Sequence, residues 1–357
     1  MLLQPGRYSL SVTGSKTACE NAPLQPLSLR RTLRLSQKLT DRTTNLSANQ
    51  PASRAHRFRV IIAFTAVYLI WGSTFLGIRI AIHSIPPGIM AGTRWFLAGA
   101  LMYIALRWRG APRPCARDWG TAAIIGGGII FGGNGSVTYA ERFIPSGTAA
   151  VIVAIVPAFI ALLGWLSGIT GRPRLPVWIG IGLATWGVAV IVRPSGAAFR
   201  EGEMVSVVIL MVGELMWAAA ALYAARTRQR SSGLIMAAMQ MLCGGAFLLA
   251  TAAIRGEFAR LDPAAITAAS VLAMTYLMVV GSLISFSAYF WLLRNVEPTR
   301  VATYAYVNPI VAVFLGWLVL GEPLLPELLT GSALVVLGIA LIVTFKTRVT
   351  QTPTPAR

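Results

Sequence analysis

From residue 60 to residue 345 the chain alternates long apolar runs with short polar connections. Each run is about the 20 residues that an α-helix needs to cross the hydrocarbon core of a bilayer. The pattern predicts helices over 60–80, 88–107, 119–140, 146–168, 176–193, 204–224, 233–253, 269–292, 301–320 and 326–345. Few charges fall inside these runs. The exceptions are Arg79 near the end of the first, Arg94 in the second and Glu214 within the sixth. Connections this short predict that successive helices pack as antiparallel neighbours. Residues 1–57 are rich in Ser, Thr, Arg, Gln and Pro, and lack an apolar run long enough for the core of a signal peptide. They read as a disordered basic cytoplasmic tail or as a start codon assigned too far upstream. An organellar transit peptide is the alternative. Residues 346–357 read as a second cytoplasmic tail.

Composition places the chain in lipid. Of 357 residues, 55% are hydrophobic and only 12% charged, against roughly 25% charged in a soluble domain. Such a chain cannot cover itself with polar surface in water, so its first partner is the bilayer. The net charge of +19 invites a nucleic-acid reading, which its distribution argues against. Ten Lys/Arg fall in residues 1–59, and most of the rest lie between apolar runs. With the N-terminus inside, the inner connections hold 11 arginines: Arg107, Arg109, Arg113, Arg117, Arg172, Arg174, Arg226, Arg228, Arg230, Arg294 and Arg300. The outer connections hold 5, namely Arg142, Arg193, Arg200, Arg255 and Arg260. This bias predicts both termini in the cytoplasm and an even number of spans, as in a bacterial inner membrane. Cys19, Cys115 and Cys243 form no metal-spaced pair, and His56 and His83 are the only histidines. No P-loop is present, and no cofactor is expected.

The chain also repeats itself. VPAFIALLGW in the fourth helix matches NPIVAVFLGW in the ninth, placing Pro157, Gly164 and Trp165 against Pro309, Gly316 and Trp317 at an offset of 152. Arg142 and Arg294 share that offset, and Gly171-Arg172-Pro173 matches Gly321-Glu322-Pro323 at 150. Helices 1–5 (58–193) and 6–10 (204–345) are thus two copies of one unit. Because five is odd, the copies are inverted, an architecture common in secondary transporters. The fold class predicted is all-α, membrane-embedded, with ten transmembrane helices in two inverted five-helix repeats.

The stretches YLIWGSTFLGIR (68–79), PPGIMAGTRWFLAGAL (86–101), GNGSVTYAERFIPSGTAAVIVAIVP (133–157) and RNVEPTRVATYAYVNPIVAVFLGWLVLGEPL (294–324) resemble EamA-type permeases of the drug/metabolite transporter superfamily. The resemblance covers about 60–345. It implies ten helices with cytoplasmic termini, and export of amino acids, metabolites or amphipathic drugs, proton-linked or facilitative. It does not name the solute, since one scaffold serves many. At this matched position of the two repeats the Gly-Glu motif is present only once, because Arg172 stands where the second repeat has Glu322.

Candidate residues follow from helical spacing and from the expense of polar groups in lipid. Phe131, Asn134, Thr138 and Glu141 fall on one face of an ideal third helix. Tyr68, Trp71 and Phe75 share a face of the first, and Tyr304 and Asn308 are neighbours on the ninth. Ser282, Ser285 and Tyr289 on the eighth and Trp217 on the sixth complete a predicted aromatic-lined pocket with sparse polar groups. The competing reading for each is ordinary packing. Pro157 and Pro309 are expected to kink their helices, freeing the carbonyls of Val153 and Ala305, and to gate the two halves. Glu214 is the sharpest residue. Burial disfavours its ionised form, which suits a proton-coupling group; a neutral hydrogen-bonded acid, or one paired with Arg94, is the alternative. Arg79 and Arg94 are either counter-ions for a solute carboxylate or arginines that snorkel or pair. Glu141 is expected to close an outer gate with Arg142 or Arg300. GGGIIFGGNG (126–135) reads as close helix packing, and Gly180 with Ala184 hints at a homodimer face. The function expected is a secondary exporter of a small-molecule solute. The alternative is a membrane enzyme acting on lipid or prenyl substrates, which would need a convergent acid, His or metal set.

Overall fold

The computed structural model describes residues 54–192, 202–227 and 231–345. Arg193, Arg200, Arg228 and Arg230, residues 1–53 of the amino-terminal tail and residues 346–357 of the carboxy-terminal tail lie outside them. The described residues form ten long helices and two short 3-10 turns. They are α1 (Arg54–Ala81), α2 (Pro87–Trp108), α3 (116–140), α4 (Ser146–Leu166), α5 (Leu175–Val192), α6 (Glu203–Arg226), α7 (Gly233–Ile254), α8 (Ala268–Asn295), α9 (298–320) and α10 (Pro326–Thr344). Eight are each long and apolar enough to cross a membrane; the main segment of α9, Tyr304–Leu320, is shorter but apolar. α3 is the length of a span but is diluted by seven glycines.

The duplication is visible in the backbone. α3 and α8 each contain a π-helical stretch, Gly127–Asn134 and Leu277–Ile284, at an offset of 150 residues. Equivalent helices of the two repeats also meet: α2 packs along α7 and α5 along α10. Both contacts run through small residues. A Cβ on Gly99 would fall 2.8 Å from the Ala238 carbonyl oxygen, and one on Gly180 2.6 Å from that of Gly338. Gly180 and Ala184 are therefore buried against α10 of the same chain, so this small-residue pair is not a face left open for a second copy. The glycine run of α3 packs as expected. Gly128 and Gly132 lie against Met216 of α6, and Gly126 lies against the backbone of Gln240 on α7.

The two prolines behave differently. α4 breaks at residues 154–155, and Pro157 sits in the first turn of the segment that follows, where a missing N–H costs little. Pro309 lies inside Tyr304–Leu320, while α9 breaks earlier, at residues 302–303. The expected pair of symmetric kinks is replaced by one break beside a proline and one interior proline.

Candidate functional site

Trp71 on α1 centres an aromatic cluster. Its ring lies 5.6 Å from Phe286, 5.1 Å from Tyr289 and 4.9 Å from Tyr304, and Tyr289 meets Tyr304 edge to face at 5.9 Å. Phe286 also meets Trp95 of α2 edge-on at 5.8 Å. These tilted and edge-on arrangements are the ones ring quadrupoles favour. Tyr68 shares a hydrogen bond with Thr303 at the break in α9. The Asn308 amide, oriented to suit its neighbours, donates to the carbonyl oxygens of Tyr304 at 3.3 Å and Tyr68 at 3.2 Å. The structure thus brings together Tyr68, Trp71, Tyr289, Tyr304 and Asn308, from α1 of one repeat and α8 and α9 of the other. Phe75 packs instead in the main apolar core with Ile78 and Leu277.

Asn134, Thr138 and Trp217 belong to the α3–α6 region. Trp217 lies over Gly133, where an added Cβ would overlap its ring. Asn134 Nδ2 donates to Ile129 O at 3.3 Å, and Thr138 Oγ1 to Asn134 O at 2.9 Å. On α8, Ser282 Oγ donates to Leu277 O at 3.1 Å and Ser285 Oγ to Val280 O at 2.9 Å. Three of these four bonds reach back five residues, the carbonyl that a π turn leaves within reach. The polar atoms expected to face solute are here engaged by their own helices.

The π turn also breaks the predicted face of α3. Wider turns shift the angular phase of everything beyond them, so Phe131, Asn134, Thr138 and Glu141 do not share one side. Phe131 lines an outward-opening apolar groove of about 730 Å³ with Gly127, Met216 and Phe247. Thr138 and Glu141 are buried, at 1% and 0% exposure.

The two buried acids lack hydrogen bonds. Neither oxygen of Glu214 or of Glu141 has a hydrogen-bond partner among the described residues, and Glu214 forms no ion pair with Arg94. The charges near Glu141 are Arg79, Arg94 and Glu322. The expected gate partners are elsewhere. Arg142 lies over the Phe143 ring at 5.4 Å, and Arg300, at the start of α9, is at the opposite face from the end of α3. Arg94 does not snorkel. It is 2% exposed, its guanidinium sits 4.5 Å from the Trp95 ring centre, and its Nε donates to Ser282 Oγ at 3.3 Å. Arg79 is half-buried.

Two other acids escaped the sequence reading. Glu257, just after α7, is 6% exposed. Its Oε2 accepts from the backbone N–H of Gly88 at 2.8 Å and of Ile89 at 3.2 Å, and its Oε1 accepts from the Tyr139 hydroxyl. Glu322, just after α9, accepts at Oε1 from Ser146 N and Ser146 Oγ, both at 2.8 Å, and at Oε2 from Gly147 N at 3.1 Å. Each carboxylate covers orphan N–H groups in the first turn of a helix of the other repeat. The signal was present as Gly-Glu at 256–257 and 321–322, and as Pro-x-Gly at 86–88 and 145–147. Only the tertiary fold pairs them.

Residues 58–193 and 204–344 each match the EamA-like transporter family. The chain is 38% identical over 273 residues to an Escherichia coli K12 protein described as an uncharacterized inner membrane transporter, YedA, covering 75% of this chain and 86% of that one. It is 27% identical over 286 residues to a Streptantibioticus cattleyicolor protein described as a "probable terminal-alkyne amino-acid exporter", covering 80% and 93%. A crystal structure that is 18% identical superposes with a TM-score of 0.55, covering 80% of this chain and 96% of that one, which speaks for the fold alone.

Proposed function

Because the chain belongs to the EamA-like transporter family, we propose that it exports a small organic solute with a carboxylate head and an apolar body, by alternating access to a site between its two repeats. The observation that carries this reading is Arg94. A guanidinium at membrane depth is expensive, and such groups are rarely idle. This one is 2% exposed and makes no ion pair among the described residues, and the acid whose charge acts on it is the buried Glu141. A solute carboxylate would match its planar fork of donors. The rings of Trp71, Tyr289 and Tyr304, continuous with Arg94 through Trp95 and Phe286, would take the apolar body. The Streptantibioticus relative is described as exporting an amino acid, a solute with a carboxylate head. Tyr68 and Asn308 border this lining. Ser282 already accepts from Arg94 Nε at 3.3 Å, while Phe75, Asn134, Thr138, Trp217 and Ser285 enter the lining only if their helices turn during the cycle.

Glu214 is the coupling group in this reading. Its carboxyl is 0% exposed within α6 and its oxygens lack hydrogen-bond partners among the described residues, and an acid at membrane depth is rarely idle. Pro157, Pro309 and Glu141 lie where the repeats would move, and both termini face the cytoplasm by the arginine bias. An enzyme acting on lipids finds no support in the descriptions of these relatives.

The test is counterflow in proteoliposomes with three matched solutes: a hydrophobic amino acid, its amide and its decarboxylated amine. The acid is expected to move fastest. Arg94→Gln should slow it by about 10- to 100-fold, the equivalent of losing roughly 1.5–3 kcal/mol of charge-assisted bonding. Equal flux of the amine would remove the carboxylate head, and no flux of any solute would remove the reading. Under an imposed pH gradient, unchanged flux in Glu214→Gln would end its role in coupling.

A further inference from the structure

The face on which α2 and α4 begin is also the face on which α7 and α9 end. There the two repeats are joined by the carboxylates of Glu257 and Glu322. The two junctions are built alike. Each acid follows a glycine in the left-handed region, Gly256 at φ 67° and Gly321 at φ 66°, which turns the chain sharply off the end of its helix. Each helix start that it caps has the sequence Pro-x-Gly, as Pro86-Pro87-Gly88 and Pro145-Ser146-Gly147. The glycine is needed, since a Cβ on Gly88 would fall 2.9 Å from Glu257 Oε2.

Inverted duplication predicts the same two junctions on the opposite face, and among the described residues neither is there. α2 and α7 are both 22 residues long, so Arg255-Gly256-Glu257 after α7 corresponds to Arg109-Gly110-Ala111 after α2, with Gly110 at φ 83°. Gly321-Glu322 corresponds to Gly171-Arg172. The left-handed glycine is kept at Gly110 but not at Gly171, because α4 turns off earlier, at Gly168 (φ 66°), and the matched positions hold Ala111 and Arg172 in place of the two acids. Their receiving ends differ as well, with Ser232-Gly233-Leu234 at the start of α7 and Glu297-Pro298-Thr299 at the start of α9. A contact between the repeats on that face is Ser231 Oγ donating to Asp118 Oδ2 at 2.9 Å, an oxygen that also accepts from Cys115 N at 3.2 Å and so caps the start of its own helix, α3, not one of the other repeat.

We propose that Glu257 and Glu322 form a two-point latch that holds the Pro86 face shut. Opening this face requires both carboxylates to leave the helix starts they cap, whereas among the described residues the opposite face has no carboxylate bonded to a helix start of the other repeat. A charged acceptor on several orphan donors is a directional, all-or-none attachment. Its release exposes four backbone N–H groups and two acids at once, so the closed arrangement is a discrete state. The geometry of the latch stands without any assumption about solute. That it opens once per cycle rests on the alternating-access reading above.

The experiment is maleimide labelling of a cysteine at Ala140, which is 0% exposed at the latched end of α3. The protein is full-length, in nanodiscs, with Cys19, Cys115 and Cys243 replaced. The paired variant Glu257→Gln with Glu322→Gln keeps side-chain shape and removes the charge, and it should raise the labelling rate by about tenfold or more. Tyr139→Phe with Ser146→Ala removes one side-chain donor from each junction and leaves the acids, and should raise it by about two- to threefold. Asp118→Asn, on the other face, should leave it unchanged. If the glutamine pair does not fold, the Tyr139→Phe, Ser146→Ala pair decides alone. A rate unchanged in every folded variant overturns the latch, and so does an equal rise in Asp118→Asn. Faster labelling in a protein that moves no solute keeps the latch and removes the transporter reading.

Discussion

α3 and α8 are the same helix of the repeat written twice, and they solve the same backbone problem with opposite side chains. Both carry a π turn midway. α3 surrounds its turn with seven glycines and lies tightly on α6 and α7; α8 has a single glycine, Gly281, followed by Phe286, Tyr289, Phe290 and Trp291. Close backbone contact leaves no volume to rearrange, because protein interiors are packed without slack. A cluster of rings on four helices can change shape by rotating side chains, with no helix displaced. The duplication therefore yields one rigid seam and one adaptable lining from a single template.

Four substitutions, with Gly281→Ala and Pro309→Ala as matched comparisons, break or sharpen this contrast. The largest effect is expected for Gly128→Leu in α3, whose added Cβ would overlap Ala220 and fall 2.7 Å from the Met216 carbonyl oxygen. Overpacking against a backbone is expected to destabilise by about 3 kcal/mol or more, read as loss of folded protein in a thermal melt. Gly281→Ala in α8 should shift the same melt by less than about 1 kcal/mol, since its Cβ meets side-chain atoms alone, Thr74 Cγ2 at 3.2 Å, Arg94 Nη2 at 3.5 Å and Leu277 Cδ2 at 3.8 Å. Equal tolerance at the two glycines would erase the distinction between seam and lining. Next, Trp71→Ala removes a ring that touches three others. It is expected to destabilise by about 2–3 kcal/mol and to slow solute counterflow more than heat sensitivity alone explains.

Ser282→Ala comes third. It removes a prop of the π turn and the hydrogen-bond partner of Arg94, for about 1 kcal/mol. Hydrogen exchange should quicken around Leu277–Ile284 and not around Gly127–Asn134. The smallest effect is expected for Pro157→Ala, within about 0.5 kcal/mol, because Pro157 already sits where a helix start lacks a bonded N–H. Pro309→Ala should change flux more than Pro157→Ala does; matched losses would restore the symmetric gate that the repeat suggests.

Much of this architecture is readable without coordinates. The ten spans, the duplication and its inversion follow from run length and from residues such as Pro157 and Pro309 recurring at a fixed offset. Trp71, Tyr289 and Tyr304 are legible as candidates because each is an aromatic residue in an apolar helix; that they meet is decided by the packing of α1, α8 and α9. Phe131 leaves its predicted face because a face is drawn on an ideal α-helix, and the π turn just there changes the phase. Ser282 and Ser285 read as solute contacts because a hydroxyl in lipid needs a partner; in the fold each bonds a carbonyl five residues back. Gly180 and Ala184 mark a close contact, but the same small residues would serve a contact within one chain or between two.

What the sequence by itself determined is how many times the chain crosses the membrane and that it does so as two inverted copies. Those properties depend on the length and order of apolar runs, and the bilayer reads them one helix at a time. What only the tertiary structure decided is which side of each helix meets which neighbour, and hence that Glu257 and Glu322 reach across to Gly88 and Ser146. In water, the polar side of a helix announces its exposed face. In lipid, the exposed face is as apolar as the buried one, so the sequence pattern leaves the rotation of each helix open until the other nine are in place.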